Sequence, residues 1–166
     1  MIKKVLSVID RVVGFKRVSA HCDIPCKIYD PMPAQIAVLT MIRLVDLINE
    51  IPSDEASSLS NLAKLNRLVG EKEAHGTMVK EEIRVIWGDY FKQPQLDAFP
   101  ETHRLVHNIM MQASKAKQNV DREETVALLE MVNQFTENFW STKDIDTYRA
   151  VCPYPPNEKI VYPKIV

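Results

Sequence analysis

A chain of 166 residues, 46% hydrophobic and 26% charged, has the composition of one soluble globular domain with an ordinary core, which excludes disordered, collagen-like and mucin-like designs. Its net charge of −1 gives no general attraction to nucleic acid, and four glycines leave little material for phosphate-cradling loops. Charged residues interrupt every apolar run before the roughly 18 residues that a membrane span needs, so the expectation is a soluble protein without a membrane partner.

The first 20 residues carry Lys3, Lys4, Arg11, Lys16 and Arg17 against Asp10, which sets them at +4 and the rest of the chain at −5. A basic leader on an acidic body reads as a segment with a separate fate. Its apolar run from Val5 to Ile9 is cut by Asp10-Arg11, a poor fit to a secretory signal, whereas Val18-Ser19-Ala20 is an acceptable small-residue cleavage site. Residues 1–20 are therefore expected to be a propeptide that is removed.

Residues 21–33 are punctuated by Pro25, Pro31 and Pro33, which fix φ and disfavour helix in the residues before them. Helical periodicity then begins: Val38, Met41, Ile42, Val45 and Ile48 mark one buried face, and Pro52 its end. A longer helical region spans 54–91, with one stripe at Leu62, Leu65, Leu68 and Val69 and another at Val79, Ile83, Ile86 and Tyr90. Gly70 and Gly76 lie between the stripes, where a kink or split is expected.

Pro94 and Pro100 bound a connecting loop, and Val106, Ile109, Met110 and Ala113 define a third helix. Asp121 with Glu124 three residues later is a capping-box pattern that opens a fourth, with Leu128, Val132, Phe135 and Phe139 on one side. Beyond Lys143 the prolines at 153, 155, 156 and 163 exclude regular helix. The expected architecture is all-α: a short segment at 21–33, an antiparallel four-helix bundle at 34–143, and an irregular extended tail at 144–166 that packs on the bundle or on a neighbouring subunit.

The chemistry is concentrated in one place. Within six residues, His21, Cys22 and Cys26 supply an imidazole and two thiols on a backbone that Pro25 forces to turn. The Cys-x-x-x-Cys spacing matches neither the redox Cys-x-x-Cys pair nor paired zinc knuckles, and on these residues alone a metal site and two incidental thiols both stay open.

Cleavage after Ala20 would change the balance, because His21 would then carry a free α-amine. That amine, the Cys22 backbone nitrogen once deprotonated, and the Cys22 and Cys26 thiolates offer two nitrogens and two sulfurs in one plane. Such a set suits square-planar nickel or copper, and it leaves the His21 imidazole as an axial ligand. Anionic sulfur and amide donors stabilise the higher oxidation state, which points to one-electron redox catalysis.

The segment His21-Cys22-Asp23-Ile24-Pro25-Cys26, followed by Tyr29-Asp30-Pro31, closely resembles the hook at the mature N-terminus of nickel superoxide dismutases. Trp87-Gly88-Asp89-Tyr90-Phe91-Lys92, Phe99-Pro100-Glu101-Thr102-His103 and Phe139-Trp140-Ser141-Thr142-Lys143 are similar to later segments of that family in the same order. The resemblance implies a four-helix bundle assembled as a homohexamer, a leader removed by a processing protease, a nickel ion, and conversion of superoxide to dioxygen and hydrogen peroxide. It implies nickel ligation by His21, Cys22 and Cys26, with Asp23 and Pro25 shaping the hook and Tyr29 standing over the vacant face to order water or substrate.

The chain departs from the family pattern at three positions. Lys27 stands where glycine is usual, and as a non-glycine residue it is expected to avoid positive φ. Ala37 stands where many members place a glutamate, and His75 where some carry an arginine.

The remaining candidates have simpler readings. His103 and His107 are four apart on one helix face but lack the glutamate of a zinc-protease pattern, and they read as solvated or interface histidines. Met110-Met111 and Trp87 follow apolar faces, Cys152 reads as a bystander thiol, and the pairs Glu81-Glu82 and Glu123-Glu124 as solvated helix faces. Two rival functions stay open: a nickel or copper carrier that binds reversibly through the same ligands, and a non-catalytic helical interaction module in which the cysteines are incidental and the leader stays attached. The expected compartment is the cytoplasm.

Overall fold

The computed structural model describes residues 27–55 and 57–165. The leader and the hook residues His21, Cys22, Asp23, Ile24, Pro25 and Cys26 lie outside the described residues. Among the described residues, five helices and a two-stranded hairpin follow one another: α1 (Met32–Asn49), α2 (Leu59–Val85), α3 (Gln93–Ala98), α4 (Thr102–Gln118), α5 (Arg122–Ser141), β1 (Thr147–Val151) and β2 (Lys159–Pro163). The four long helices close a ring in which α1 packs on α2, α2 on α4, α4 on α5 and α5 on α1.

Helix α1 opens at Asp30-Pro31: the Asp30 carboxylate accepts from the Met32 amide at 2.8 Å, and Pro33 occupies the first turn, where no amide donor is needed. Length and composition alone would let α1 cross a membrane. In the bundle, Ala34, Ala37, Val38, Met41, Ile42 and Val45 are instead its core face. The fourth periodic helix begins where expected, with the Asp121 carboxylate accepting from the Glu124 amide at 3.1 Å, and buries Leu128, Val132, Phe135 and Phe139.

Helix α2 departs from expectation. It runs unbroken through Gly70 and Gly76; Gly70 faces open space, and Gly76 serves packing rather than bending. A β-carbon at Gly76 would lie 2.3 Å from the Lys117 Cγ of α4, so the missing side chain is what lets that helix approach. At 27 residues against 18 for α1, it also overhangs its neighbour by about 13 Å at ~1.5 Å per residue. Of its two stripes, Val79, Ile83 and Ile86 enter the core, whereas Leu62 remains 47% exposed, and Leu65, Leu68 and Val69 are only half-buried.

Two connections are more regular than their proline content indicated. The linker at 93–98 is a short helix, with Pro94 in its first turn. The tail, expected to be extended and irregular, is extended but forms an antiparallel hairpin, registered from Thr147 opposite Pro163 to Val151 opposite Lys159. Its prolines fall between the strands and at the edge position Pro163, where no ladder donor is lost. The hairpin is fastened to the bundle through buried Ile160, Val161 and Cys152, whose thiol donates to the Tyr154 carbonyl at 3.1 Å.

Candidate functional site at the root of the hook

Residues 27–30 lead into α1 without regular secondary structure. Lys27 stands at φ 58°, in the left-handed region, contrary to the expectation that a lysine there would avoid positive φ. That conformation costs about 1–2 kcal/mol for a residue with a β-carbon. Two residues later the half-buried Tyr29 packs on Tyr90, ring centroids 5.8 Å apart and tilted by 54°.

Tyr90 closes a π-turn, Ile86–Tyr90, in which the Phe91 amide reaches the Ile86 carbonyl at 3.3 Å. The one-residue insertion redirects the side chains that follow α2. Tyr90 is thereby placed against Phe91 and Phe139, at 5.5 and 4.9 Å, and its hydroxyl lies 2.6 Å from the Thr142 Oγ1. Thr142 itself donates to the Phe139 carbonyl, so the phenol of Tyr90 is the donor in the pair. The Lys143 ammonium sits 4.8 Å from the Tyr90 ring centroid and 5.1 Å from that of Phe139, a cation held against the aromatic cluster.

Periodicity had marked Tyr90 as a core residue. What reveals it as a partner of the hook is its contact with Tyr29, across 61 residues of sequence.

The other candidates separate from this cluster. Trp87 donates its indole N–H to His103 Nδ1 at 3.0 Å, which engages that ring nitrogen. His75 turns its Nδ1 to the Glu71 carbonyl one turn earlier, at 2.8 Å. Glu81 is exposed and lies 3.7 Å from Arg84. Glu82, expected to be solvated, is half-buried and lines a cleft of about 200 Å³ with Ile28, Tyr29, Asp30, Pro33, Val85 and Ile86.

Among the described residues no group of three or more His, Cys, Asp or Glu side chains could hold a metal ion, and the third thiol, Cys152, is committed to the tail. The only compact soft-donor set in the sequence is therefore His21, Cys22 and Cys26, joined directly to Lys27 and Tyr29. Two thiols and an imidazole fit nickel or copper.

A family model described as nickel-containing superoxide dismutase matches residues 16–143. The chain belongs to that family. The match takes in the hook and all four long helices and leaves out the hairpin. The nickel superoxide dismutase of Streptomyces seoulensis is 32% identical over 127 residues, 76% of this chain and 91% of the relative. That of Streptomyces coelicolor is 32% identical over 128 residues, covering 76% and 90%.

Among solved structures, native nickel superoxide dismutase superposes with a TM-score of 0.63 at 29% identity over 74% of this chain and 99% of that one. A nickel-containing superoxide dismutase with the ligation of the oxidised state gives 0.64 at 30% identity, covering 75% and 99%. The mostly helical fold of this nickel superoxide dismutase family member matches those solved structures, and its hairpin lies beyond the residues that the family model matches.

Proposed function

We propose that the protein is a superoxide dismutase whose nickel ion is held by the His21 amine and imidazole, the Cys22 amide and thiolate, and the Cys26 thiolate. The single observation that carries this reading is continuity. The soft-donor segment runs through Lys27 into Tyr29, whose ring rests on an aromatic cluster built at the ends of two of the four long helices, α2 and α5. The leader is removed after Ala20, which frees the amine, and the compartment is the cytoplasm, where thiols stay reduced. The exposed Leu59 and Leu62, with the partly covered Leu65 and Leu68, give the α2 overhang an apolar face suited to self-association, in line with a homohexamer.

Bound nickel would supply one-electron redox chemistry, taking an electron from one superoxide and returning it to the next. The overall reaction joins two superoxide ions and two protons into dioxygen and hydrogen peroxide. The part of the chain's own residues is to hold and screen the site. Tyr29 presents its phenol at the root of the hook, and Tyr90, fixed through Thr142, holds the Tyr29 ring in place. Lys143 and Lys27 offset the negative field of the −5 body for an anionic substrate.

The test is a superoxide decay assay on protein processed to begin at His21 and loaded with nickel, beside unprocessed protein. Nickel-dependent turnover in the processed form alone supports the reading. Binding that passes readily to a chelator without turnover would identify a carrier, and equal nickel affinity and activity in both forms would remove the role given to the amine. Replacing Cys22 or Cys26 with Ser takes away a soft thiolate and should abolish turnover while the helical circular dichroism is retained.

A further inference from the structure

The two edges of the hairpin are treated differently by the fold. The Cys152 amide donates to the Glu158 carbonyl at 2.9 Å and the Lys164 amide to the Asp146 carbonyl at 2.8 Å, so both are hydrogen-bonded pairs of the antiparallel ladder. Alternation between them turns the backbone groups of Thr147, Arg149 and Val151 outward on β1, and those of Lys159, Val161 and Pro163 outward on β2. The β2 edge is closed. Gln35 takes both groups of Val161, Asn133 takes the Lys159 carbonyl, and Pro163 has no amide to offer.

The β1 edge is open. No described residue bonds to the outward amides and carbonyls of Thr147, Arg149 and Val151. Such an edge is a template for another strand, and folded proteins usually blunt it with proline, lysine, a bulge or a free charge. β1 carries none of these. Its register with β2 is unbroken, and Thr147, Tyr148 and Val151 favour strand. Its one charge, Arg149, is drawn off to α5 by Glu130 and Glu137 at 2.7–3.1 Å. Tyr148 and Val151 stay 48% and 53% exposed.

We propose that β1 pairs antiparallel with β1 of a second copy of this chain, about a two-fold axis at Arg149, joining the two hairpins into one continuous sheet. The edge fits itself in that register. Arg149 faces its mate and Thr147 faces Val151 of the second copy, so every outward amide meets an outward carbonyl. An axis at Tyr148 or Ala150 would leave one outward residue of each copy without a partner. The side chains agree with the register: Tyr148 lies opposite an alanine, which leaves room for its ring, and Thr147 opposite another β-branched residue. The facing arginines do not meet as free charges, because two carboxylates flank each one. A five-residue strand falls short of the roughly 1,200 Å² that stable interfaces bury, so the pairing depends on protein concentration. The proposal is independent of the nickel reading.

Val151→Pro and Thr147→Pro each remove one outward amide and leave the ladder to β2 intact, since proline is tolerated where the N–H points away from the neighbouring strand. Particle mass is measured by sedimentation across a range of concentrations under reducing conditions, for wild type and both variants. Amide hydrogen exchange over 146–152 is followed on the same samples.

The wild-type mass should at least double as concentration rises, and this rise should be lost in both variants. The amides of Thr147, Arg149 and Val151 should exchange more slowly in concentrated wild-type protein, while those of Tyr148 and Ala150, bonded within the hairpin, stay protected throughout. If a proline variant loses protection at Tyr148 and Ala150, its hairpin has opened and the wild-type exchange pattern alone decides. A wild-type mass independent of concentration, an equal rise in variants with intact hairpins, or outward amides whose exchange ignores concentration would overturn the proposal.

Discussion

The buried side-chain amide of Gln35 exchanges two hydrogen bonds with the backbone of Val161: Nε2 donates to the carbonyl at 3.1 Å and Oε1 accepts from the amide at 2.8 Å. Gln35 thus acts as a single rung of β-ladder projecting from α1, and it fixes the hairpin to the first turn after the hook. Gln35→Leu would leave both Val161 groups buried without partners, at about 1–3 kcal/mol for each such group. The expected result is a lower thermal midpoint and early proteolytic cleavage within 144–166. Unchanged protease resistance would show that Ile160 and Val161 hold the hairpin by packing alone.

Lys72 provides a pH signature. Its buried ammonium donates to the Ala116 carbonyl at 2.9 Å and to the Lys117 carbonyl, closing the C-terminal end of α4 with a cation from α2. Burial lowers its pKa below the ordinary lysine value of about 10.4, an effect partly offset by Glu73 and added to by Lys117. The unfolded chain therefore binds more protons than the folded one in the alkaline range just below that value, and stability rises with pH there. Denaturant midpoints of wild type and Lys72→Met measured from pH 7 to 10 should differ in slope, the wild type gaining relative to the variant. Parallel curves would contradict the depressed pKa.

The bundle was legible because its core faces repeat at helical spacing over several turns, and Val38, Met41, Ile83, Ile109, Val132 and Phe139 all proved buried. The same period misled at Leu62 to Val69, since periodicity shows which residues share a face and not whether another element covers it. The hairpin was hidden because its proline content signals only the exclusion of helix, whereas its strand pairing depends on Gln35 and on Asn133, whose Nδ2 donates to the Lys159 carbonyl at 2.9 Å. At the site, the proposed donors His21, Cys22 and Cys26 lie within six residues, so proposing them needs no knowledge of the fold. Tyr90, Thr142 and Glu82 converge through the fold, and nothing local in the sequence distinguishes Glu82 from the exposed Glu81 beside it.

Lys27 tests backbone and charge separately. Lys27→Gly should relieve left-handed strain of about 1–2 kcal/mol, while Lys27→Val, branched at its β-carbon, should add to it. Nickel affinity measured by competition should therefore hold or rise for Lys27→Gly and fall for Lys27→Val. Lys27→Glu should slow turnover most at low ionic strength, where the field of the acidic body is least screened. Turnover independent of salt in wild type and Lys27→Glu alike would remove the steering role while leaving the backbone argument standing.

The last prediction divides the two contributions of Tyr90. Tyr90→Phe keeps the ring against Tyr29, Phe91 and Phe139 and removes only the hydroxyl that donates to Thr142, whose own bond to the Phe139 carbonyl survives. One hydrogen bond of this kind contributes about 0.5–1.5 kcal/mol, so unfolding should shift by that amount and nickel content should be retained. Tyr90→Ala removes the ring as well, with a core-truncation cost of about 3–5 kcal/mol, and it takes from Tyr29 the surface on which its own ring rests. If Tyr29 works only when held, Tyr90→Ala should match Tyr29→Ala in turnover, and the double variant should be no slower than either. Unfolding curves, nickel content and superoxide decay on the four proteins separate the two effects. Additive losses in the double variant would show that Tyr29 and Tyr90 act independently and that the 5.8 Å contact is packing without a functional consequence.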